Sequence, residues 1–72
     1  MSRYVVIIER GEDGGFGAYA PDLPGCVALG DTPEETVELM REAIEFHLEG
    51  LREDGTPIPE PSAVEAVMVE AA

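Results

Sequence analysis

Pro21-Asp22-Leu23-Pro24-Gly25-Cys26-Val27-Ala28-Leu29-Gly30-Asp31-Thr32-Pro33-Glu34-Glu35 sets a tight turn, a short strand and a helix start end to end. Pro24 presets the negative φ of the second position of a type II turn, and Gly25 accepts the positive φ of the third. Thr32 opens a Thr-x-x-Glu capping box, with Pro33 at the first helical position and Glu35 placed to reach back to an orphan N–H. The order predicted here is turn, third strand, helix, and the rest of the chain is read outward from it.

Upstream, residues 3–10 read Arg-Tyr-Val-Val-Ile-Ile-Glu-Arg, rich in β-branched and aromatic side chains, and predict the first strand. Tyr4, Val6 and Ile8 share one face, and Val5 and Ile7 share the other. Both faces are apolar, which suits a strand covered on its second side by another subunit. Gly11-Glu12-Asp13-Gly14-Gly15 is a hairpin turn leading into a second strand over 16–20. There Gly17, Ala18 and Ala20 leave room for close approach. With a third strand over 26–30, the short connections predict an antiparallel meander.

Downstream, the period changes. From Pro33 to Asp54, Val37, Met40, Ile44, Leu48 and Leu51 recur at spacings of three and four, a stripe facing the sheet that Thr36, Ala43 and His47 widen. Glu34, Glu38, Glu42, Glu45, Glu49 and Glu53 fall within roughly 100° of one another on the opposite side, given about 100° of rotation per residue. Like charges at i, i+4 disfavour an isolated helix by about 0.2–0.5 kcal/mol per pair, so packing must hold it. Leu39 and Phe46 border the ridge; they are expected to tuck under the sheet edge, the alternative being an apolar patch beside the ridge available to a partner or a second subunit. Gly55 is placed to close the helix in a left-handed conformation. Residues 56–62, with prolines at 57, 59 and 61, form an extended connector, and 63–69 alternate well enough for a fourth strand. A right-handed crossover would lay that strand parallel to the third and beside the first. The expected fold class is α+β, in the order βββαβ.

Seventy-two residues make one domain, spanning 1–72, with a thin core that self-association would supplement. Sixteen acidic residues against four arginines and no lysine give a formal net charge of -12. Such a surface repels phosphate backbones and anionic membranes and attracts a basic protein. The single cysteine cannot form an internal disulfide, and no signal peptide or membrane span is evident, which predicts a cytoplasmic protein.

Catalytic signals are weak. His47, the lone histidine, lies near the apolar stripe with no nucleophile beside it and reads as a packed structural residue. Cys26 reads as a buried inert thiol. Glu9, Asp22 and Asp31 lie near strand or loop ends, where two could converge on a divalent metal in a residual nuclease, the lowest-ranked reading. Asp22 is also well suited to bonding turn amides. The glycines of 11–15 form no phosphate loop, because no lysine follows them. No enzyme, cofactor, metal or small-molecule substrate is expected.

Tyr4-Val5-Val6-Ile7-Ile8-Glu9, the block from Gly15 to Cys26, Gly30-Asp31-Thr32-Pro33-Glu34-Glu35 and Ile58-Pro59-Glu60-Pro61 together resemble the HicB antitoxin family over nearly the whole chain. The specific part is Pro21-Asp22-Leu23-Pro24-Gly25-Cys26 followed by Gly30, Asp31, Thr32 and Glu35, which are assigned a structural role. The resemblance implies a partial ribonuclease H-like domain. It also implies a partner, HicA, a small basic RNA-cleaving toxin with a double-stranded-RNA-binding-like fold, whose active site the antitoxin blocks. Typical family members carry a C-terminal DNA-binding domain, whereas this sequence stops at Ala72, so DNA-binding autoregulation is not implied. The expected contact surface is Glu38, Leu39, Glu42, Glu45, Phe46 and Glu49. The alternative is a solitary homo-oligomeric structural or regulatory protein without a toxin.

Overall fold

The computed structural model describes residues 3–71. Three four-residue strands, β1 (Ile7–Arg10), β2 (Phe16–Tyr19) and β3 (Val27–Gly30), precede one helix, α1 (Pro33–Glu53). The sheet order is β1-β2-β3, antiparallel throughout, as the meander predicts. At the first turn, Gly14 takes φ 89° and the Asp13 carboxylate accepts from the Gly15 N–H at 3.0 Å. At the second, Gly25 has φ 83° and the Cys26 N–H donates to the Leu23 carbonyl at 3.1 Å, the closure expected of a Pro-Gly type II turn.

Register places Ile8, Ala18 and Ala28 in one row across the sheet, facing α1. Their small middle members let the helix approach until Met40 and Thr36 are fully buried. Ala20, Leu23 and Cys26 complete the core, and Tyr4, Val6, Ile8, Ile44 and Leu48 pack around it. The close approach is tightest where β3 ends. A Cβ on Gly30 would lie 2.5 Å from the Thr36 Oγ1 and 3.1 Å from the Thr36 Cα, so this position has no room for a side chain.

Both helix ends are built as their residues dictate. Thr32 Oγ1 accepts from the Glu35 N–H at 3.1 Å, and the Glu35 carboxylate accepts from the Asp31 N–H at 2.9 Å, one residue before the cap. At the other end Gly55 (φ 71°) donates to the Arg52 carbonyl and Thr56 to the Leu51 carbonyl, a Schellman closure.

Three expectations need correction. Only 7–10 of the predicted first strand pair with β2, because β2 stops at Tyr19 and the chain turns away after Ala20. No strand forms over 63–69, so the described order is βββα and the last element of the implied partial ribonuclease H-like order is not a strand here. Val37, assigned to the buried stripe, is 40% exposed, and Leu39 and Phe46, 38% and 80% exposed, are not tucked under the sheet edge. A sheet of three short strands is too narrow to cover so wide an arc of a 21-residue helix.

Candidate functional site

The acidic side of α1 is a solvated surface. Glu34, Glu38, Glu42, Glu45, Glu49 and Glu53 are all exposed. Among the described residues the single ion pair is Arg41 to Glu38 at 3.4 Å, with both side chains more than 60% exposed, which is worth at most about 1 kcal/mol. The remaining glutamates of the ridge keep their field for whatever approaches.

All six residues expected to contact a partner, Glu38, Leu39, Glu42, Glu45, Phe46 and Glu49, stand exposed on this one helix. Leu39 is at the margin of exposure, and Phe46 is the most exposed apolar side chain of α1. Beside Phe46 an open groove runs between the helix and the start of β3. Gly25, Val27, His47, Gly50, Leu51 and Asp54 line it. An aromatic ring, an apolar groove and a flanking row of carboxylates are therefore contiguous. This arrangement can hold an apolar side chain on a cationic partner.

Val27, Gly50 and Leu51 were not anticipated as groove residues. The available signal was Gly50 four residues after Phe46, which puts an absent side chain beside the ring. Opposite the helix, the outer face of the sheet is also bare. Ile7, Tyr19 and Val27 form a cross-strand row, with Leu29 in the next row. Tyr19, Val27 and Leu29 are 40%, 61% and 79% exposed. The apolar second face read from residues 3–10 thus extends over all three strands.

The carboxylates considered for a metal are divided. Glu9 and Asp31 line a cleft with Asp13 and Glu35, whereas Asp22 is elsewhere. Among the described residues no group of three or more metal-ligating side chains converges. Asp22 does not bond its own turn; its carboxylate accepts from the Ser62 Oγ at 2.7 Å, the Ser62 N–H at 3.1 Å and the Ala63 N–H at 3.0 Å. The Ala63 amide and then the Ser62 hydroxyl hold its pKa below the ordinary carboxylate value. Together with the Tyr4 hydroxyl, which donates to the Pro59 carbonyl at 2.6 Å, this carboxylate ties the C-terminal connector to the domain. Burial pushes the Cys26 thiol up, which keeps it protonated and unreactive at neutral pH. His47 is half-buried at the groove. The described helix is not long and apolar enough to cross a membrane.

A small antiparallel sheet backed by one acidic helix, with exposed apolar side chains on both sides, defines an α+β module of one sheet and one helix. A family model described as the HicB-like antitoxin of bacterial toxin–antitoxin systems matches residues 4–72, and the chain belongs to that family. It is 39% identical over 61 residues to a UPF0150 protein of Synechocystis sp., covering 85% of this chain and 77% of the relative. It is 39% identical over 62 residues to Antitoxin HicB 1 of Photorhabdus laumondii, covering 86% of this chain and 40% of that protein. Its fold matches the crystal structure of the N-terminal domain of Burkholderia pseudomallei antitoxin HicB, with a TM-score of 0.73 at 27% identity over 82% of this chain and 69% of the other. The family role is that of an antitoxin, and the three strands and long helix agree with that solved domain.

Proposed function

We propose that this chain is a cytoplasmic antitoxin that neutralises a basic HicA-type RNA-cleaving toxin by direct protein contact, without a catalytic step of its own. The observation that carries this reading is the exposed Phe46 set between an apolar groove and the carboxylates of Glu38, Glu42, Glu45 and Glu49. A basic toxin would be steered by the ridge and anchored at the ring and groove.

The test is calorimetric titration with a small basic HicA-type toxin, sought first among the products of neighbouring genes. Glu42→Lys with Glu49→Lys should weaken binding about tenfold and flatten its salt dependence, because two attractive rim charges become repulsive. Phe46→Ala should cost about 2 kcal/mol as a central anchor. Unchanged affinity in both variants would remove this face from the account.

The bare outer sheet face of Tyr19, Val27 and Leu29 favours a second reading, a homo-oligomer that acts without a toxin. Light scattering on the isolated chain and the absence of any basic neighbouring gene product that binds it would support this alternative.

A further inference from the structure

Beyond Ala63 the chain becomes an arm without cover. Val64, Val67, Met68 and Val69 are 89%, 69%, 100% and 81% exposed, although each favours burial. The arm is not simply frayed from its root. Asp22 holds Ser62 and Ala63, Tyr4 holds Pro59, and the prolines at 57, 59 and 61 stiffen the approach. Its base lies beside Arg3, Tyr4 and Val5, next to the lead-in to β1.

β1 is an edge strand, so one of its sides offers unpaired N–H and C=O groups. Residues 3–10 and 64–71 are equal in length, each spanning about 26 Å at 3.3 Å per residue when extended. Charge selects between the sheet's two free edges. Arg3 and Arg10 flank the first strand and are half of the chain's four cationic side chains, while the arm carries Glu65 and Glu70. The edge at β3 has no cation and runs into Asp31, Thr32 and the acidic helix. For a chain of net charge -12, two copies repel one another, and the pairing of Arg3 and Arg10 with Glu65 and Glu70 offsets part of that repulsion at this edge.

We propose that the arm over 64–71 pairs as a strand with the free β1 edge of a second copy, in reciprocal exchange that gives a closed two-fold dimer. This rests on the self-association reading above and adds the element that performs it. Reciprocity satisfies both edges at once and leaves no open end for fibre growth. The fourth strand expected from the alternation over 63–69 then forms between molecules.

Sedimentation equilibrium and isotope-filtered NMR on the full chain, mixing labelled with unlabelled protein, test this. Expected results are a dimer, intermolecular contacts between 64–70 and 3–10, and at least tenfold weaker dimerisation in Val67→Asp with Val69→Asp. These side chains are exposed within the single chain, so the variant should keep the parent's helical circular dichroism and lose only the strand signal of the exchanged arm. Arg10→Glu should also weaken the dimer, and Glu65→Arg or Glu70→Arg should restore it; whichever rescues reports the strand direction. A dimer whose affinity the arm variants leave unchanged, with no contacts from 64–70 to a second copy, overturns arm exchange while self-association stands. A strict monomer at millimolar concentration overturns both, and contacts from 64–70 to 3–10 within one chain overturn the exchange alone.

Discussion

Gly30→Ala should be among the most damaging single-methyl additions to this protein. The new Cβ would sit 2.5 Å from the Thr36 Oγ1 and 3.1 Å from both the Thr36 backbone N and Cα. The hydroxyl cannot swing away without cost, because it donates to the Thr32 carbonyl at 2.7 Å and is fully buried. The backbone atoms cannot move unless α1 lifts from β3. Restoring ordinary carbon contacts of about 3.5–4.0 Å requires a separation near 0.5–1 Å, which forfeits a quarter to a half of each dispersion contact along that seam. Overpacking of this kind costs about 1–3 kcal/mol, and the upper end applies where backbone is the obstacle. A domain of this size has about 4–11 kcal/mol in total, so a large fraction is lost. At about 4–8 °C per kcal/mol, a loss of about 3 kcal/mol should lower the midpoint of thermal unfolding by roughly 12–24 °C. Thermal and urea unfolding at one fixed protein concentration would measure it. Thr36→Ala in the same background should recover part of the loss, since the Oγ1 clash goes and the Cα clash remains. A Gly30→Ala protein within about 0.5 kcal/mol of the parent would refute the close-contact account of the strand-to-helix junction.

Two further perturbations test the cap and the tether. Thr32→Ala should cost about 1 kcal/mol in urea unfolding by removing the acceptor for the Glu35 N–H. The Asp22 carboxylate has a lowered pKa when folded, so its bonds to Ala63 and Ser62 contribute stability above the unfolded value of 3.8 that is lost as pH falls through the lower folded value. The Ser62 and Ala63 amide resonances should therefore shift together below pH 4 and lose that transition in Asp22→Asn.

The helix was legible almost to the residue, because its start and stop rest on local chemistry: Thr32, Pro33 and Glu35 at one end, Gly55 at the other. The Pro24-Gly25 turn was legible for the same reason. Exposure was harder to read. Val37 and Phe46 lie on the flanks of an arc whose cover depends on sheet width, and periodicity carries no information about the width of the layer opposite. The alternation of 63–69 expressed a capacity for strand pairing without saying which edge, or whose, would receive it. Asp22 shows a similar limit. It is expected to bond the amides of its own turn, but its acceptor oxygens serve amides 40 and 41 positions away that no local pattern names. The face proposed for contact was partly legible: the exposure of its glutamates follows from the helix phase, whereas that of Leu39 and Phe46 depends on the width of the sheet, and the groove from Gly25 to Asp54 on where β3 meets α1.

The tether made by Tyr4 and Asp22 also bears on how the chain reaches its native state. Every packed element pairs with a sequence neighbour or with the helix that follows the sheet, so the meander and α1 can condense through short loop closures. The bonds to Pro59, Ser62 and Ala63 close loops of 40 to 55 residues and secure only a half-buried extended segment. They should form after the rate-limiting step. Loss of the Asp22 carboxylate would then leave the refolding rate unchanged and appear wholly as faster unfolding, so the tether governs how long the folded chain lasts rather than how quickly it is made.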